Sequence, residues 1–113
     1  PDRIVEIRFY PKSDVCIDEV KILIRETKKI SGGELLPVLI IVGEFTTFSS
    51  RARSFSASEE GKAACLAEAY VINNMGHSIV GNFYMKFNKP VKPVRIFWKE
   101  EEAVEWLEKQ RGQ

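Results

Sequence analysis

Apolar residues recur along this chain at two spacings, at every second position in some segments and at every third or fourth position in others. Over residues 4–9, apolar side chains alternate with Glu6 and Arg8, which predicts a half-exposed strand near a sheet edge. Residues 37–42 are apolar throughout, which indicates a central strand that helices cover on both faces. Two later segments rich in β-branched and aromatic residues predict further strands: residues 68–72 and 93–97.

Helical spacing of apolar residues predicts helices between these strands. The first helix is predicted over residues 17–30, with Cys16 and Glu19 at the positions of a capping box and two glycines within residues 31–33. Further helices are predicted at four places: from Ser49 or Ser50 to about residue 55, from a cap at Ser56 or Ser58 to about residue 65, over residues 77–87, and over residues 99–109.

Two of these helices carry apolar stripes that are expected to belong mostly to the core. The stripes are Ile79, Val80, Phe83, Tyr84 and Phe87 in the first, and Ala103, Val104, Trp106 and Leu107 in the second. The element order β-α-β-α-α-β-α-β-α predicts a single α/β domain over residues 1–113. Its sheet should have about four mostly parallel strands with helices packed on it.

Composition narrows the function classes. The 113 residues are 44% hydrophobic, and 17 basic against 16 acidic residues leave a net charge of +1, so there is no overall attraction to nucleic acid or to an anionic membrane. No apolar run approaches the roughly 20 residues that span a bilayer. With Cys16, Cys65 and His77 as the only cysteines and histidine, we expect no metal site, no cofactor and a reduced thiol pair in a cytoplasmic protein.

The loop after the central apolar strand carries the first candidate site. Ser49, Ser50, Arg51 and Arg53 follow the carboxyl end of that strand, where open α/β sheets tend to bind ligands. Backbone N–H groups at a helix start and two arginines suit a small anion. The alternative is that a serine caps the helix and the arginines are solvated.

Three further positions stand out. Asn82 lies inside a predicted helix near its apolar stripe, so its amide is expected to bond a neighbouring loop or to line a ligand pocket. Lys89 and Lys92 belong to a basic cluster that would suit an acidic partner or headgroup. Trp98 follows a core position on a strand end, so it is a candidate interface anchor. For His77 and Cys16, structural roles are favoured over catalytic ones.

The chain resembles the STAS-like (SpoIIAA-like) domains related to bacterial anti-sigma-factor antagonists, in particular a bacterial branch of that superfamily. The stretches that carry the resemblance are residues 37–42, 49–53, 81–93, Phe97 and residues 101–107. Such domains usually open with a β-hairpin, whereas only one strand is predicted before Asp14. The resemblance implies a module that binds proteins, nucleotides or lipids. It also implies a candidate phosphoacceptor at Ser50, although Ser49, Arg51 and Ala52 depart from the Asp-Ser-Ser-Gly pattern of the best-known members.

We therefore expect a non-enzymatic STAS-like binding or regulatory module. Its partner would be another protein, a second copy of the chain, or a small anionic or lipid ligand. No nucleophile–base pair or phosphate-binding motif is present in the sequence, so no catalytic residue is predicted. The alternative is a lipid or small-molecule carrier, or an enzyme, with a pocket between sheet and helices that uses Asn82, Tyr84 and the Ser49–Ser50 loop.

Overall fold

A computed structural model describes residues 3–111 of the chain. Six strands and four helices follow one another in an α/β order, and a π-helical turn extends the third helix. In chain order the elements are β1 (Val5–Arg8), β2 (Asp14–Val15), α1 (Ile17–Ser31), β3 (Leu36–Ile41), β4 (Thr47–Phe48), α2 (Ser50–Ala57), β5 (Cys65–Val71), α3 (Met75–Phe83), the π-helical turn (Tyr84–Asn88), β6 (Val94–Phe97) and α4 (Glu100–Arg111).

The main sheet has four parallel strands, as the sequence predicts, and the strand order is β1-β3-β5-β6. The apolar strand β3 is central and the half-polar β1 lies at an edge. Strand β2 pairs in parallel with β4 as a separate two-stranded sheet, which the sequence did not predict. This small sheet brings Phe48 against Phe9, with ring centroids 5.4 Å apart.

Register sorts the side chains of the main sheet into two faces, because alternate residues of a strand point in opposite directions. One face carries the cross-strand row Ile7, Ile40, Tyr70 and Ile96, beside the row Val5, Val38, Glu68 and Val94. The opposite face carries Leu39 and Ala69, and α4 packs directly on it. Ala103 and Leu107 of α4 are fully buried there, as the stripe of that helix predicts.

The helices on the other face stand further from the sheet. Thr27 and Ser31 are the buried residues of α1, and none of the residues of α3 is buried. The sequence predicts that the apolar stripe over residues 77–87 is mostly buried. This prediction is correct for Tyr84 and wrong for the other four members. Ile79, Phe83 and Phe87 are exposed on the outer side.

The helix predicted to reach about residue 65 does not form, so one fewer helix follows β4 than the sequence indicates. Residues 58–64 are a series of turns. Ser58 takes an extended conformation that ends α2, and its hydroxyl oxygen accepts a hydrogen bond from the Gly61 N–H. A Cβ atom at Gly61 would lie 1.9 Å from the Phe55 carbonyl oxygen, so the chain folds back more tightly than a helix allows.

Within residues 3–111, every helix is too short or too polar to cross a bilayer. Cys16 and Cys65 are both free thiols, the first exposed at the start of α1 and the second buried at the start of β5.

Candidate functional site

A cavity of about 370 Å³ lies between the sheet and the loosely packed helices α1, α2 and α3. Its floor is the row Ile7, Ile40, Tyr70 and Ile96 together with Val38, and its lining is mostly apolar. Ligand pockets commonly measure about 300–1,000 Å³ and are lined mainly by apolar groups. An apolar cavity of about 150 Å³ already admits benzene. The volume and lining therefore suit a small, mainly apolar molecule.

Helix α1 forms one wall because its apolar residues recur on the side that faces the sheet. Val20, Leu23 and Ile24 line the cavity from this helix, while Ile22 points away and is 46% exposed. The helical spacing of these apolar residues in the sequence thus marks the side of α1 that faces the cavity. Ile30, at its far end, is exposed and does not line the cavity.

A buried polar cluster, which we call the lysine cluster, closes one end of the cavity. Lys62 has 0% of its side chain exposed, and its ammonium group donates to Glu68 Oε1 at 2.6 Å, Tyr84 OH at 2.8 Å and Ser56 Oγ at 3.1 Å. The Tyr70 hydroxyl donates to the same Glu68 oxygen at 3.0 Å. All three ammonium protons are therefore used, which is the condition under which a buried charge is tolerated.

The lysine cluster also includes Cys65, whose Sγ lies 3.9 Å from Glu68 Oε2, and four of its groups have raised pKa values. Burial by itself would lower the pKa of Lys62, but Glu68 and Tyr84 outweigh it, so the pKa lies above its ordinary value. Burial, helped by Glu68, raises the pKa of Cys65 to about 12 and that of Tyr70 well above its ordinary value. Burial also raises the pKa of Tyr84, with Lys62 opposing it. At neutral pH the cluster presents an ammonium group, a thiol and two phenols.

We expect the protein to lose stability in alkaline solution. Because all four groups have raised pKa values in the folded state, the unfolded chain releases their protons first, and stability falls as pH rises through that interval. The stability that Cys65 contributes is lost between pH 9.0, its ordinary pKa, and about 12, its pKa in the folded protein. Urea midpoints should be equal between pH 7 and about 8 and should fall steadily above about pH 9.

The matched variant for this measurement is Cys65→Ala. It removes the group with the lowest ordinary pKa, so the decline should begin about one pH unit later, where tyrosine and lysine titrate. A urea midpoint that stays constant or rises between pH 8 and 11 in the wild type would contradict the assignment.

Arg53 is the second charged group in the lining, on the first turn of α2. Its Nη1 donates to the Phe48 carbonyl oxygen at 2.6 Å, and its guanidinium lies 5.8 Å from the centre of the Phe83 ring. Its Nε is buried and has no hydrogen-bond partner within residues 3–111. Arg53 thus has a donor left for an anionic or hydrogen-bond-accepting group at the cavity.

The other residues of the predicted anion site are not gathered around Arg53. Ser49 is the N-cap of α2, and its Oγ accepts from the Ala52 N–H at 3.0 Å, which matches the capping alternative. Ser50 and Arg51 are exposed on the first turn of the helix and do not line the cavity. Phosphorylation of Ser50 stays a prediction.

Asn82 differs from its prediction. It is exposed, does not line the cavity, and its amide donates only a long 3.5 Å bond to Ser78 Oγ. Gly81 beside it lines the cavity instead, and a Cβ there would meet Ile96 Cδ1 at 2.3 Å. The helix approaches β6 through this glycine, which turns Asn82 outward.

The predicted interface residues lie outside the cavity. Lys89 is exposed at the end of the π-helical turn, and Trp98 is exposed after β6, so both stay predictions for a contact surface. Lys92 has a structural partner, because its ammonium donates to the Cys65 carbonyl oxygen at 2.5 Å. That bond ties the loop before β6 to the start of β5.

His77 connects α3 to the loop before β4. Its Nε2 lies 3.2 Å from the Thr46 carbonyl oxygen, and its Nδ1 lies 3.2 Å from the Asn74 side-chain nitrogen. A ring protonated at Nε2 satisfies both contacts. This supports the structural role expected for the histidine.

The sequence does not indicate the lysine cluster, although it places Tyr84 in a candidate pocket. Lys62 and Glu68 are six residues apart, a separation that matches neither a helix face nor a capping motif. The available signal was Glu68 itself, a charged residue between two alanines at the start of a predicted strand. Such a position needs a buried partner.

Among residues 3–111, no group of three His, Cys, Asp or Glu side chains is placed to hold a metal ion. The ammonium protons of the lysine cluster are all donated within it, whereas the Arg53 Nε has no partner within residues 3–111. This nitrogen suits hydrogen bonding to the polar end of an otherwise apolar molecule.

No curated protein and no solved structure matches the chain. A family model described as a domain of unknown function, DUF7793, matches residues 1–111. Since that match covers nearly all 113 residues, the chain belongs to the DUF7793 family.

Proposed function

We propose that this protein is a non-enzymatic, STAS-like binding module whose cavity holds a lipophilic small molecule with an anionic head. The observation that carries the proposal is the mostly apolar cavity of about 370 Å³ between the sheet and helices α1 to α3. The parallel four-stranded sheet with helices on both faces supports the STAS-like part of it. We expect it to act in the cytoplasm, where both thiols stay reduced.

The lining favours an apolar tail over a polar metabolite. The lining is mostly apolar, and the aliphatic side chains that α1, β1, β3 and β6 contribute to it offer no hydrogen bonds. A polar metabolite would lose its hydration there without compensation. Burial of an alkyl chain instead gains about 0.8 kcal/mol for each CH₂ group.

The charges of the lining favour an anionic head at Arg53. The Lys62–Glu68 pair is mutually neutralised, whereas the Nε of Arg53 is a buried donor without a partner. A carboxylate or phosphate would accept from this nitrogen, and hydrogen bonds to charged groups are among the stronger ones in proteins. The ligand class is therefore an amphipathic acid with its tail inside and its head near α2 and Phe83.

The state of the lysine cluster supports binding over catalysis. An amine acts as a nucleophile or base only when it is unprotonated, and Lys62 has its pKa raised with all three protons donated. Cys65 is held as the thiol because its pKa is about 12. Neither group is prepared for reaction at neutral pH.

Titration with dodecanoate and with dodecanol tests the proposal. Wild-type protein should bind both, and Ile24→Trp should weaken binding at least tenfold because the indole occupies the cavity. Ile22→Trp is the matched control, since Ile22 is on the same helix and 46% exposed. Isothermal calorimetry gives the affinities, and native mass spectrometry shows what co-purifies.

A second pair of variants tests the head group. Arg53→Gln should weaken dodecanoate about tenfold or more and leave dodecanol unchanged, because the lost bond is to a charged group. Arg51→Gln is the matched control, because Arg51 is exposed on the same helical turn and does not line the cavity. It should leave the affinities for both compounds unchanged. The proposal fails if the wild type binds neither compound, or if Ile24→Trp binds as well as Ile22→Trp does.

A further inference from the structure

The outer side of α3 and the π-helical turn is an exposed apolar surface, which we call the α3 surface. Met75, Ile79, Phe83 and Phe87 follow one another at four-residue intervals, and all four are exposed. The Phe83 and Phe87 rings lie 4.6 Å apart, so the stripe is continuous through the π-helical turn. Exposed apolar patches of this kind mark interaction sites.

Basic residues accompany this stripe. Residues 69–99 contain five lysines and arginines and neither aspartate nor glutamate. Lys86 Nζ lies 5.5 Å from the centre of the Phe87 ring, and the Arg53 guanidinium lies 5.8 Å from that of Phe83. Lys89 is exposed just after the turn. The aromatic positions are therefore flanked by positive charge, which complements an anionic surface.

We propose that the α3 surface docks on an anionic phospholipid bilayer. The stripe would enter the boundary between headgroups and acyl chains, while Lys86 and Lys89 contact lipid phosphates. A helix with one apolar side and basic residues beside it binds membranes in this orientation. The inference goes beyond the proposed function, since docking needs no ligand in the cavity.

Charge favours a bilayer over a second copy of the chain. A symmetric dimer through the α3 surface would bury the same patch twice, so Lys86 and Lys89 of each copy would face a surface that carries the same lysines. No acidic residue within 69–99 is available to pair with them. An anionic bilayer satisfies the same lysines without this repulsion.

Helix α3 lies between the proposed docking surface and the cavity. His77, Val80 and Gly81 of this helix line the cavity on its inner side, opposite the stripe. A docked α3 would therefore separate the bilayer from the cavity by the thickness of one helix. If the proposed function holds, a lipophilic ligand would exchange between the bilayer and the cavity across this short distance.

Co-sedimentation with vesicles tests the docking. The vesicles are made of phosphatidylcholine with or without phosphatidylglycerol, at low and high salt, and no cavity ligand is added. The wild type should bind the anionic vesicles at low salt and release them at high salt. The variant carrying both Lys86→Gln and Lys89→Gln should bind about 25-fold more weakly, at about fivefold for each lysine. Ile79→Asp should bind at least tenfold more weakly.

Two controls come from α1. Ile30 is 65% exposed and Ile79 is 67% exposed, so Ile30→Asp makes the same change on a different helix. The double variant Lys28→Gln and Lys29→Gln removes two exposed charges from the last turn of α1. Both controls should bind as the wild type does. All four variants alter exposed positions, and circular dichroism verifies that they fold.

Three results would overturn the docking proposal. The first is no binding of the wild type to anionic vesicles at low salt. The second is a loss of binding in Ile30→Asp as large as that in Ile79→Asp. The third is a dimer in analytical ultracentrifugation that Ile79→Asp dissociates, without vesicle binding, which would assign the surface to a second copy instead.

Discussion

Lys62→Met should lower the free energy of unfolding by about 3–5 kcal/mol, the range observed when one partner of a buried ion pair is removed. The side chain is fully buried and donates to Ser56, Glu68 and Tyr84. Methionine fills most of the space but leaves the Glu68 carboxylate without its cation. Urea unfolding followed by circular dichroism measures the loss.

The double variant Lys62→Met and Glu68→Gln separates the charge from the packing. Glutamine still accepts from the Tyr70 hydroxyl but carries no charge, so the double variant should regain most of the lost stability. If Lys62→Met lowers stability by less than about 1 kcal/mol, or if the second change restores nothing, the ion pair is not what stabilises this end of the cavity.

Gly61→Ala should destabilise the protein by about 3 kcal/mol, the upper end of the range for forcing extra atoms into a packed region. The added Cβ would lie 1.9 Å from the Phe55 carbonyl oxygen and 2.8 Å from Ser56 Cα. Both are backbone atoms, so relief requires residues 58–64 to move. Because Lys62 follows directly, the lysine cluster would be displaced with them.

Gly76→Ala is the matched control for this change. A Cβ at Gly76 meets only Asn74 Oδ1, at 3.3 Å, and the position is in the first turn of α3. Alanine there should alter stability by no more than about 1 kcal/mol, because its helix preference offsets the close contact. Thermal unfolding of the two variants side by side checks the difference. Equal melting temperatures would show that residues 58–64 are not tightly constrained.

The two faces of the sheet explain why these predictions concentrate on one side. On the α4 side, Ala103 and Leu107 are fully buried against Leu39 and Ala69, and little space is left. On the other side, α1 and α3 contribute few buried residues and enclose the cavity. The α4 face is close-packed, whereas the other face contains the cavity and carries the α3 surface.

Parts of the candidate site could be predicted because they are local. Ser49 caps α2 through a bond to Ala52 three residues away, which the spacing of the sequence indicates directly. The partners of Arg53 could not be predicted, since Phe83 is on another helix. Lys62 and Glu68 meet only because residues 58–64 turn back on α2. No local pattern encodes such a contact.

Short-range periodicity determined the α/β class, strands β1, β3, β5 and β6, and helices α1 and α4. Those elements form because apolar residues repeat at intervals that suit a strand or a helix. Tertiary structure alone decided that Ile79, Phe83 and Phe87 face solvent, because an apolar stripe at helical spacing has the same pattern whether it packs on the sheet or is exposed. It also decided that α1, α2 and α3 enclose a cavity against the sheet. The volume between two layers depends on side chains from several elements at once.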